Sequence, residues 1–254
     1  MQLQSLSENV FAVTNLFHPS GKGVNVGFLT TDKTVIHIDA GMKVTDGNAL
    51  LQLSLEKTPD LEKLLLILTH HHWDHIFGMR PFKEKGTRIL SHKKVYEFLS
   101  FRTPPFFRSV LRTYVSYTQK TLSKAYSYTK EQAIETLKDV VLYYPDQFFN
   151  QDIDLQIDGE KLTLLCTPGH VPDEISVYHP KSKTLFSGDT VYSGMILTTR
   201  YGGQKEWKLW IRSLEKLNGL EIEKIVPGHG AICGKEEIKR NIDYLQGLLE
   251  RKNH

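Results

Sequence analysis

Residues 69–78 read THHHWDHIFG. The pattern H-x-H-x-D-H is filled there by His70, His72, Asp74 and His75. Imidazole and carboxylate groups at this density are typical ligands of zinc and of other first-row divalent metals. The spacing does not place the four residues on one face of a helix, so we expect an extended segment or tight turn in which His70 and His72 point the same way.

A second frame of the same stretch pairs His71 with His75, four residues apart, as in zinc sites built on a helix. That motif needs a glutamate directly after its first histidine, and His72 occupies that place here. The apolar run LLLIL at 64–68 also predicts a buried strand that leads straight into the motif. The sequence therefore disfavours a helical zinc site.

Three further segments combine an apolar strand with a polar residue beside glycine at its end. LTLLCTPGH ends at His170, TLFSGD ends at Asp189, and KIVPGHG contains His229. Glycine lets the backbone turn sharply, and residues on loops at strand ends often form ligand sites. Together with His70, these residues predict a site to which four strands deliver ligands.

The remaining pattern predicts an α/β (α+β) chain that forms a single domain over residues 1–254. Strands are expected at 10–16, 24–29, 34–38, 64–68, 87–91, 154–157, 161–167, 175–178, 184–187 and 222–226. Helices are expected at 44–57, 205–217 and 236–250. Between about residues 93 and 150, apolar residues recur every three or four positions and predict an insertion of two or three amphipathic helices, broken near Pro104 and Pro105.

The chain resembles the metallo-β-lactamase-fold hydrolase superfamily through five motifs in the family's order. These are VIHIDAG with Asp39, THHHWDHIFG, TPGH, FSGDTVY and VPGHG. They span about residues 24–233, and the insertion lies between the second and the third. The resemblance implies a four-layer αββα sandwich with two metals at one edge.

Carried over by motif position, the resemblance also implies a role for each polar residue. The first metal would be held by His70, His72 and His170, the second by Asp74, His75 and His229, and both by a bridging Asp189. Asp39 would support a ligand loop from behind. Asp74 would also orient the nucleophile or carry a proton to the leaving group. Tyr192, three residues after Asp189, would donate a hydrogen bond to the substrate oxyanion or to the leaving group.

The implied activity is that of a binuclear hydrolase with two Zn²⁺ ions, or with Fe or Mn in their place. A metal-bridging hydroxide would attack a thioester, lactone or carboxylic ester. True β-lactamases carry Cys or Ser where this chain has Asp189, so β-lactamase activity is not expected. The alternatives on the same residues are a phosphodiesterase or nuclease and a mononuclear-iron oxidoreductase similar to the sulfur dioxygenases.

Differences between the motifs of the subfamilies reduce the number of candidate substrates. Lactonases and acyl-CoA thioesterases of the superfamily share the GD-x-x-Y segment that reads GDTVY here. Glyoxalase II enzymes share TPGH and GD, but their last motif usually reads CGHEY where this chain has VPGHGA. Of these substrates, an acyl-CoA-type thioester or a lactone fits the insertion best, because CoA is anionic and acyl chains are apolar.

The charge distribution adds a clue to the substrate. The net charge is only +3, yet residues 101–130 hold six basic residues, seven aromatic residues and no acidic residue. This insertion can be a basic helical pair on the surface, or a cap over the metals in which Arg108 and Arg112 bind an anionic or acyl-chain substrate. Contact with a membrane surface is a third interpretation, and nucleic acid is the least expected partner.

The other polar residues near the motifs are interpreted as structural or solvated. We expect packing or pocket walls from His71, Trp73, Ile76 and Phe77, and surface charges from Asp173 and Glu174, with Asp173 a candidate for shaping the ligand loop. His92 and His179 are expected in solvent. The chain shows no signal-peptide pattern and no run of about 18 apolar residues, so a cytoplasmic location without a membrane span is predicted.

Overall fold

The computed structural model describes residues 1–58, 61–101 and 110–252, with the side chains of all of these but 101 and 110–113. The strands are β1 (Gln2–Ser5), β2 (Val10–Leu16), β3 (Val24–Thr30), β4 (Thr34–Ile38), β5 (Lys63–Leu68), β6 (Arg88–His92), β7 (Gln147–Phe149), β8 (Ile153–Ile157), β9 (Glu160–Cys166), β10 (Ile175–His179), β11 (Thr184–Tyr192) and β12 (Lys224–His229). The helices are α1 (Val44–Leu55), α2 (Trp73–Ile76), α3 (Arg80–Glu84), α4 (Lys93–Phe101), α5 (Val110–Tyr126), α6 (Lys130–Thr136), α7 (Gln204–Asn218) and α8 (Glu236–Arg251). A short 3-10 turn over Phe77–Met79 joins α2 to α3.

The strands form two sheets. The first has the order β1-β2-β3-β4-β5-β6-β7, and the second has the order β12-β11-β10-β9-β8. In the first sheet, β1 to β4 pair antiparallel and β4 to β7 pair parallel. In the second, β11 and β12 are parallel and the other pairs are antiparallel. Parallel neighbours end at the same edge of a sheet, which is where the site residues lie.

Side chains alternate between the two faces of each strand and thereby divide the core. In β4, Ile36 and Ile38 pack between the two sheets, whereas Val35 belongs to the cluster under the helices. His37 lies fully buried, with Nε2 3.0 Å from Ser54 Oγ of α1. Burial lowers the pKa of His37 to about 3, so this imidazole is neutral and contributes to packing.

Helices cover the outer face of each sheet. The first sheet is covered by α1, α3 and the insertion helices, which bury Leu50 and Leu122 in one cluster with strand residues. The second sheet is covered by α7 and α8 through Leu214 and Leu245. The order helix, sheet, sheet, helix confirms the αββα sandwich that the motifs implied.

The insertion contains α4, α5 and α6, which agrees with the predicted two or three amphipathic helices. Leu122 and Ala133 anchor α5 and α6 in the buried cluster of the first sheet. The predicted break at Pro104 and Pro105 lies outside the described residues. Among the helices that the structure describes, none has the length and apolar character that a membrane crossing requires.

Candidate metal centre

The polar residues selected by the motifs lie together at the edge where β5, β11 and β12 end. They form two groups, and within each group the possible ligand atoms lie within 4.8 Å of one another. The first group consists of His70, His72, His170 and Asp189, and the second of Asp74, His75 and His229. All seven side chains are buried.

The motif THHHWDHIFG changes conformation halfway along. His70 and His72 precede the first helical residue, and His72 has an extended backbone with φ −63° and ψ 143°. The helix α2 begins directly after His72, so Asp74 and His75 leave from its first turn. Because His71 precedes α2, the helical zinc frame of His71 and His75 is not formed.

In the first group, ring nitrogens of His72 and His170 face each other, and His170 also faces the carboxylate of Asp189. His72 Nδ1 lies 3.1 Å from His170 Nε2, which lies 3.3 Å from Asp189 Oδ2. His70 directs Nδ1 to Thr69 Oγ1 at 3.0 Å and leaves Nε2 without a hydrogen-bond partner among the described residues. Each of these histidines therefore has a nitrogen available to a metal.

In the second group, Asp74 Oδ2 lies 3.2 Å from His229 Nε2 and 3.7 Å from His75 Nε2. Asp189 lies between the groups, because its Oδ1 is 3.4 Å from His75 Nε2 and 3.6 Å from His229 Nε2 while its Oδ2 faces His170. A carboxylate with one oxygen toward each group is arranged as a bridge.

These separations fit divalent cations. Two ligands of one tetrahedral zinc, each about 2.0–2.1 Å from the metal, lie about 3.3 Å apart, and the distances above run from 3.1 to 3.7 Å. His70 Nε2, His75 Nε2 and Asp189 Oδ1 are buried without hydrogen-bond partners in the described part of the chain. Buried acceptors that face one another are costly unless a cation or a proton lies between them.

Acceptors behind the histidines orient their rings. His75 Nδ1 lies 2.8 Å from Asp39 Oδ2, and His229 Nδ1 lies 2.6 Å from the carbonyl oxygen of Gly23. Donation to these acceptors leaves Nε2 of each ring facing the other ligands. Asp39 also accepts hydrogen bonds from Thr69 N and Oγ1 at 2.8 and 2.7 Å, so it ties β4 to the loop that carries the motif.

The two groups differ in their affinity for protons. Burial lowers the pKa of His70 well below its usual value and that of His170 to about 4. Burial also disfavours the charged form of His229, but the carboxylates of Asp189 and Asp74 outweigh it and raise the pKa of His229. The same carboxylates attract a metal cation.

Tyr192 contacts the carboxylate that lies between the groups. Its hydroxyl donates a 2.6 Å hydrogen bond to Asp189 Oδ2, and Asn241 of α8 binds its backbone N–H and carbonyl at 2.8 and 2.9 Å. Burial and the nearby Asp189 raise the pKa of Tyr192 well above its usual value, so the hydroxyl keeps its proton. The predicted hydrogen bond from Tyr192 to a substrate stays a prediction.

The interpretation of Asp173 and Glu174 as surface charges is wrong, because their exposure is only 2% and 1%. Asp173 accepts a 2.9 Å hydrogen bond from His71 N, which supports its alternative role in shaping the ligand loop. Glu174 Oε1 accepts a 3.0 Å hydrogen bond from Asp189 N. A Cβ at position 188 would lie only 2.3 Å from Glu174 Oε1, so the close approach of this carboxylate requires Gly188.

His92 and His179 are also buried, at 6% and 0% exposure, which corrects their assignment to solvent. His179 lies 2.9 Å from Glu160 through Nε2 and 2.7 Å from Ser182 Oγ through Nδ1. These contacts join β9 to the turn after β10, far along the strands from the metal motifs. In the sequence, His179 stands next to Pro180 at an expected turn, and nothing in that position indicated that the side chain is buried.

A pocket of about 200 Å³ opens onto both groups. Its walls include residues that are not metal-ligand candidates, from the loop between β2 and β3, from α2, from the loop between β11 and α7, and from the insertion. Among these residues are His18, Lys22, Trp73, Tyr126, Ile196, Arg200 and Tyr201. The insertion thus reaches the site, as a cap over the metals would.

Within the described residues, the insertion contacts the site through aromatic side chains. Tyr126 of α5 lines the pocket. Phe98 of α4 stacks on His71 with ring centroids 3.7 Å apart, and Tyr114 Oη donates a 3.1 Å hydrogen bond to the His71 carbonyl. His71 therefore packs against the insertion, as the sequence predicted for this position.

The basic residues at the pocket are not the two that were selected from the sequence. Arg108 lies outside the described residues, and of Arg112 the structure describes only its place in α5. The pocket is lined instead by Lys22 and Arg200, neither of which has a salt bridge to a described residue. Arg200 Nη2 donates a 2.6 Å hydrogen bond to Tyr201 Oη, which holds the guanidinium at the rim.

Zinc is expected to stabilise the folded chain, because the paired groups bind it only when they are brought together. At a free concentration 1,000 times Kd, a ligand specific for the native state adds about 4 kcal/mol of stability, or a rise in Tm of about 8–16 °C at this chain length. The measurement is thermal unfolding of chelator-treated protein before and after zinc addition. Mg²⁺ is the control, since it prefers oxygen ligands and should raise the Tm much less.

Comparisons with known proteins agree with this geometry. The sequence profile of the family described as the metallo-beta-lactamase superfamily matches residues 20–229. The solved metallo-beta-lactamase from Pontibacter korlensis superposes with a TM-score of 0.69 at 20% identity, covering 96% of this chain and 98% of that one. At this identity the likeness extends to the fold alone.

Sequence relatives include the Beta-lactamase-like protein 2 homolog of Caenorhabditis elegans, 25% identical over 232 residues, 91% of this chain and 63% of that protein. This chain therefore spans less than two thirds of the length of that relative. Human Acyl-coenzyme A thioesterase MBLAC2 is 24% identical over 251 residues, covering 93% and 84% of the two chains. Hydroxyacylglutathione hydrolase GloC of Haemophilus influenzae is 28% identical over 191 residues, covering 73% and 77%.

Proposed function

Because the chain belongs to the metallo-beta-lactamase superfamily, we propose that it is a zinc-dependent hydrolase of acyl thioesters that uses a binuclear site. The observation that carries the proposal is the placement of Asp189 between two buried groups whose facing nitrogens and oxygens lie 3.1–3.7 Å apart. In this proposal, residues 1–254 act as one catalytic domain, with the insertion as a cap.

The names of two relatives favour a thioester over the other acyl substrates. One is an acyl-coenzyme A thioesterase and the other a hydroxyacylglutathione hydrolase, and both names describe cleavage of a carbonyl–sulfur bond. Lactones and carboxylic esters present the same carbonyl to a nucleophile, so they stay related candidate substrates. We therefore place an acyl thioester first.

The chain supplies positioned groups for acyl transfer to water. His70, His72, His170, Asp74, His75, His229 and Asp189 would hold two divalent cations, which would lower the pKa of a water molecule and polarise the substrate carbonyl. Asp74 lines the pocket, so its carboxylate can orient the attacking water and carry a proton to the leaving thiolate. Tyr192 holds Asp189 in place through its hydroxyl.

The test is metal quantification followed by a substrate panel of acyl-CoA thioesters, lactones, carboxylic esters and phosphodiesters. We expect about two zinc ions per chain and fastest turnover of a thioester. Preference for a phosphodiester would contradict the proposal in favour of a phosphodiesterase or nuclease. A single iron with oxygen consumption would contradict it in favour of the oxidoreductase alternative.

An anionic substrate is part of the proposal, supported by Lys22 and Arg200 on the pocket wall. Replacing Arg200 with glutamate should raise KM for an acyl-CoA about tenfold. A hydrogen bond to a charged group contributes about 1.5–3 kcal/mol, and at this exposed site we expect the lower end of that range. A loss of about 1.4 kcal/mol corresponds to a tenfold weaker affinity. A neutral acyl-N-acetylcysteamine thioester should change little. Steady-state kinetics on both substrates measure the difference.

The matched control is Arg212→Glu on α7, an exposed position that does not line the pocket. It makes the same change in net charge and should leave both KM values close to those of the unmodified protein. Equal effects of Arg200→Glu on the charged and neutral thioesters would contradict a role in binding the anion.

The remaining parts of the proposal concern partners and location. We propose a small-molecule acyl thioester rather than a nucleic acid, supported by the names of the two relatives that cleave thioesters. We also propose a cytoplasmic location, since Cys166 and Cys233 are both free, which suits a reducing compartment. Fractionation of the cells that express the protein tests this location.

A further inference from the structure

His18 is a pocket residue that no motif selects. It lies on the loop between β2 and β3, and its side chain is only 12% exposed. The ring stacks on Trp73 with centroids 5.2 Å apart, and it meets the edges of His229 and Tyr126 at 5.2 and 5.9 Å. Contacts on several sides therefore fix both the position and the orientation of this imidazole.

The neighbouring Ser20 determines which nitrogen of His18 carries the proton. Ser20 N donates a 3.2 Å hydrogen bond to His18 Nδ1, and Ser20 Oγ lies 2.5 Å from the same nitrogen. A backbone N–H can only donate, so Nδ1 must be an acceptor and carries no proton. In the resulting neutral tautomer the hydrogen is on Nε2.

The Nε2–H of His18 faces the catalytic side of the pocket. Its nearest carboxylate oxygen is Asp74 Oδ2 at 3.7 Å, which is beyond hydrogen-bonding distance. No hydrogen bond from His18 Nε2 to any described residue exists, although the residue lines the pocket that opens onto both metal groups. A rigidly held donor thus points into the site with no acceptor from the described chain.

We propose that His18 is a substrate-binding residue whose Nε2–H donates a hydrogen bond to an oxygen atom of the acyl group. The acceptor is oxygen rather than sulfur, because a thioester sulfur accepts hydrogen bonds weakly. The carbonyl oxygen gains negative charge during attack by water, and the same atom belongs to the carboxylate product. This inference rests on the proposed acyl-transfer function of the site.

The Nε2–H of His18 would donate to the carbonyl oxygen, which gains negative charge in the transition state, so its loss should lower kcat more than it raises KM. Loss of one such donor typically reduces kcat about 10²- to 10³-fold. We therefore expect His18→Phe, which keeps a ring to stack on Trp73, to lower kcat for a short-chain acyl-CoA by at least about 100-fold. His18→Gln, whose amide can donate in place of Nε2–H, should recover part of this loss.

The experiment compares the zinc-loaded unmodified protein with His18→Phe and His18→Gln. Three quantities are measured: kcat and KM for the acyl-CoA, affinity for butanoate as the product-like probe, and zinc content with Tm as a check on folding. We expect the affinity for butanoate to fall in His18→Phe and to recover in His18→Gln. Equal kcat and equal butanoate affinity in all three proteins would overturn the role of His18 while leaving thioester hydrolysis intact.

Two further readouts keep the inference separate from the proposed function and from folding defects. If the unmodified protein hydrolyses no thioester but binds butanoate in a His18-dependent way, the donor role stands and the proposed substrate is wrong. Long-range ¹H–¹⁵N NMR of the unmodified protein at neutral pH reports the tautomer without any variant. A proton on Nδ1 of His18 would overturn the inference.

Discussion

Replacing Asp189 with alanine is expected to reduce thioester hydrolysis by more than about 100-fold and to lower the zinc content. Removing a residue that only hydrogen-bonds to a metal ligand typically lowers metal affinity or activity about 10- to 100-fold. Asp189 faces both groups directly, so its loss should have a larger effect. Its Oδ1 lies 3.4 Å from His75 Nε2 and its Oδ2 lies 3.3 Å from His170 Nε2. Without this carboxylate, the buried nitrogens of both groups lose a shared ligand and its negative charge.

The measurements are kcat/KM for an acyl-CoA and zinc per chain by elemental analysis. The matched control is Asp154→Ala, an exposed aspartate on β8 that pairs with Lys161 away from the site. The control should keep its zinc and its activity. If Asp189→Ala kept full zinc content and full activity, the assignment of the metal centre would be wrong.

Replacing Asp39 with asparagine is expected to weaken metal binding about 10- to 100-fold without unfolding the chain. Asp39 has φ +64°, a left-handed conformation that asparagine adopts more readily than most residues. The substitution therefore changes the charge while preserving the turn. It weakens the acceptor that holds His75 Nδ1 at 2.8 Å and the N–H and hydroxyl of Thr69.

Competition with a chromophoric chelator measures the zinc affinity. The Tm of the metal-free protein shows whether the substitution destabilises the left-handed turn at position 39. Asp139→Asn is a close control, because Asp139 also has φ +64° and lies exposed after α6. The two metal-free variants should have similar Tm values, while only Asp39→Asn should bind zinc more weakly. Unchanged zinc affinity in Asp39→Asn would show that Asp39 does not orient the ligand loop.

The main strands and long helices could be predicted because each contains enough residues to show its period. For example, β2 at Val10–Leu16 agrees with the predicted 10–16, and α8 at Glu236–Arg251 agrees with 236–250 within one residue. Four short elements were missed: the strands β1 and β7, of four and three residues, and the helices α2 and α3, of four and five residues. A helix of four or five residues is little more than one turn and shows no repeat of its apolar positions. The conformation of β1 and β7 depends on the strands they pair with.

The candidate ligands could be predicted for a different reason. Metal chemistry restricts residue type, and local turns restrict spacing, so His70, His72, Asp74 and His75 form a recognisable cluster within one short segment. His18, Asp173 and Glu174 have no such local signature. Asp173 was assigned to the surface because its charge usually favours solvent, yet His71 binds it across a separation of 102 residues.

The sequence by itself thus determined the order of the elements, the family and the residues that converge as candidate metal ligands. Only the tertiary structure decided which further side chains support and surround them: Glu174 behind Asp189, and His18 and Arg200 on the pocket wall. The physical reason is that a metal accepts only a few residue types as ligands, and several of these ligands lie close together in the sequence, where they can be recognised. Burial, donor direction and pocket charge depend on segments that meet only when the two sheets pack together.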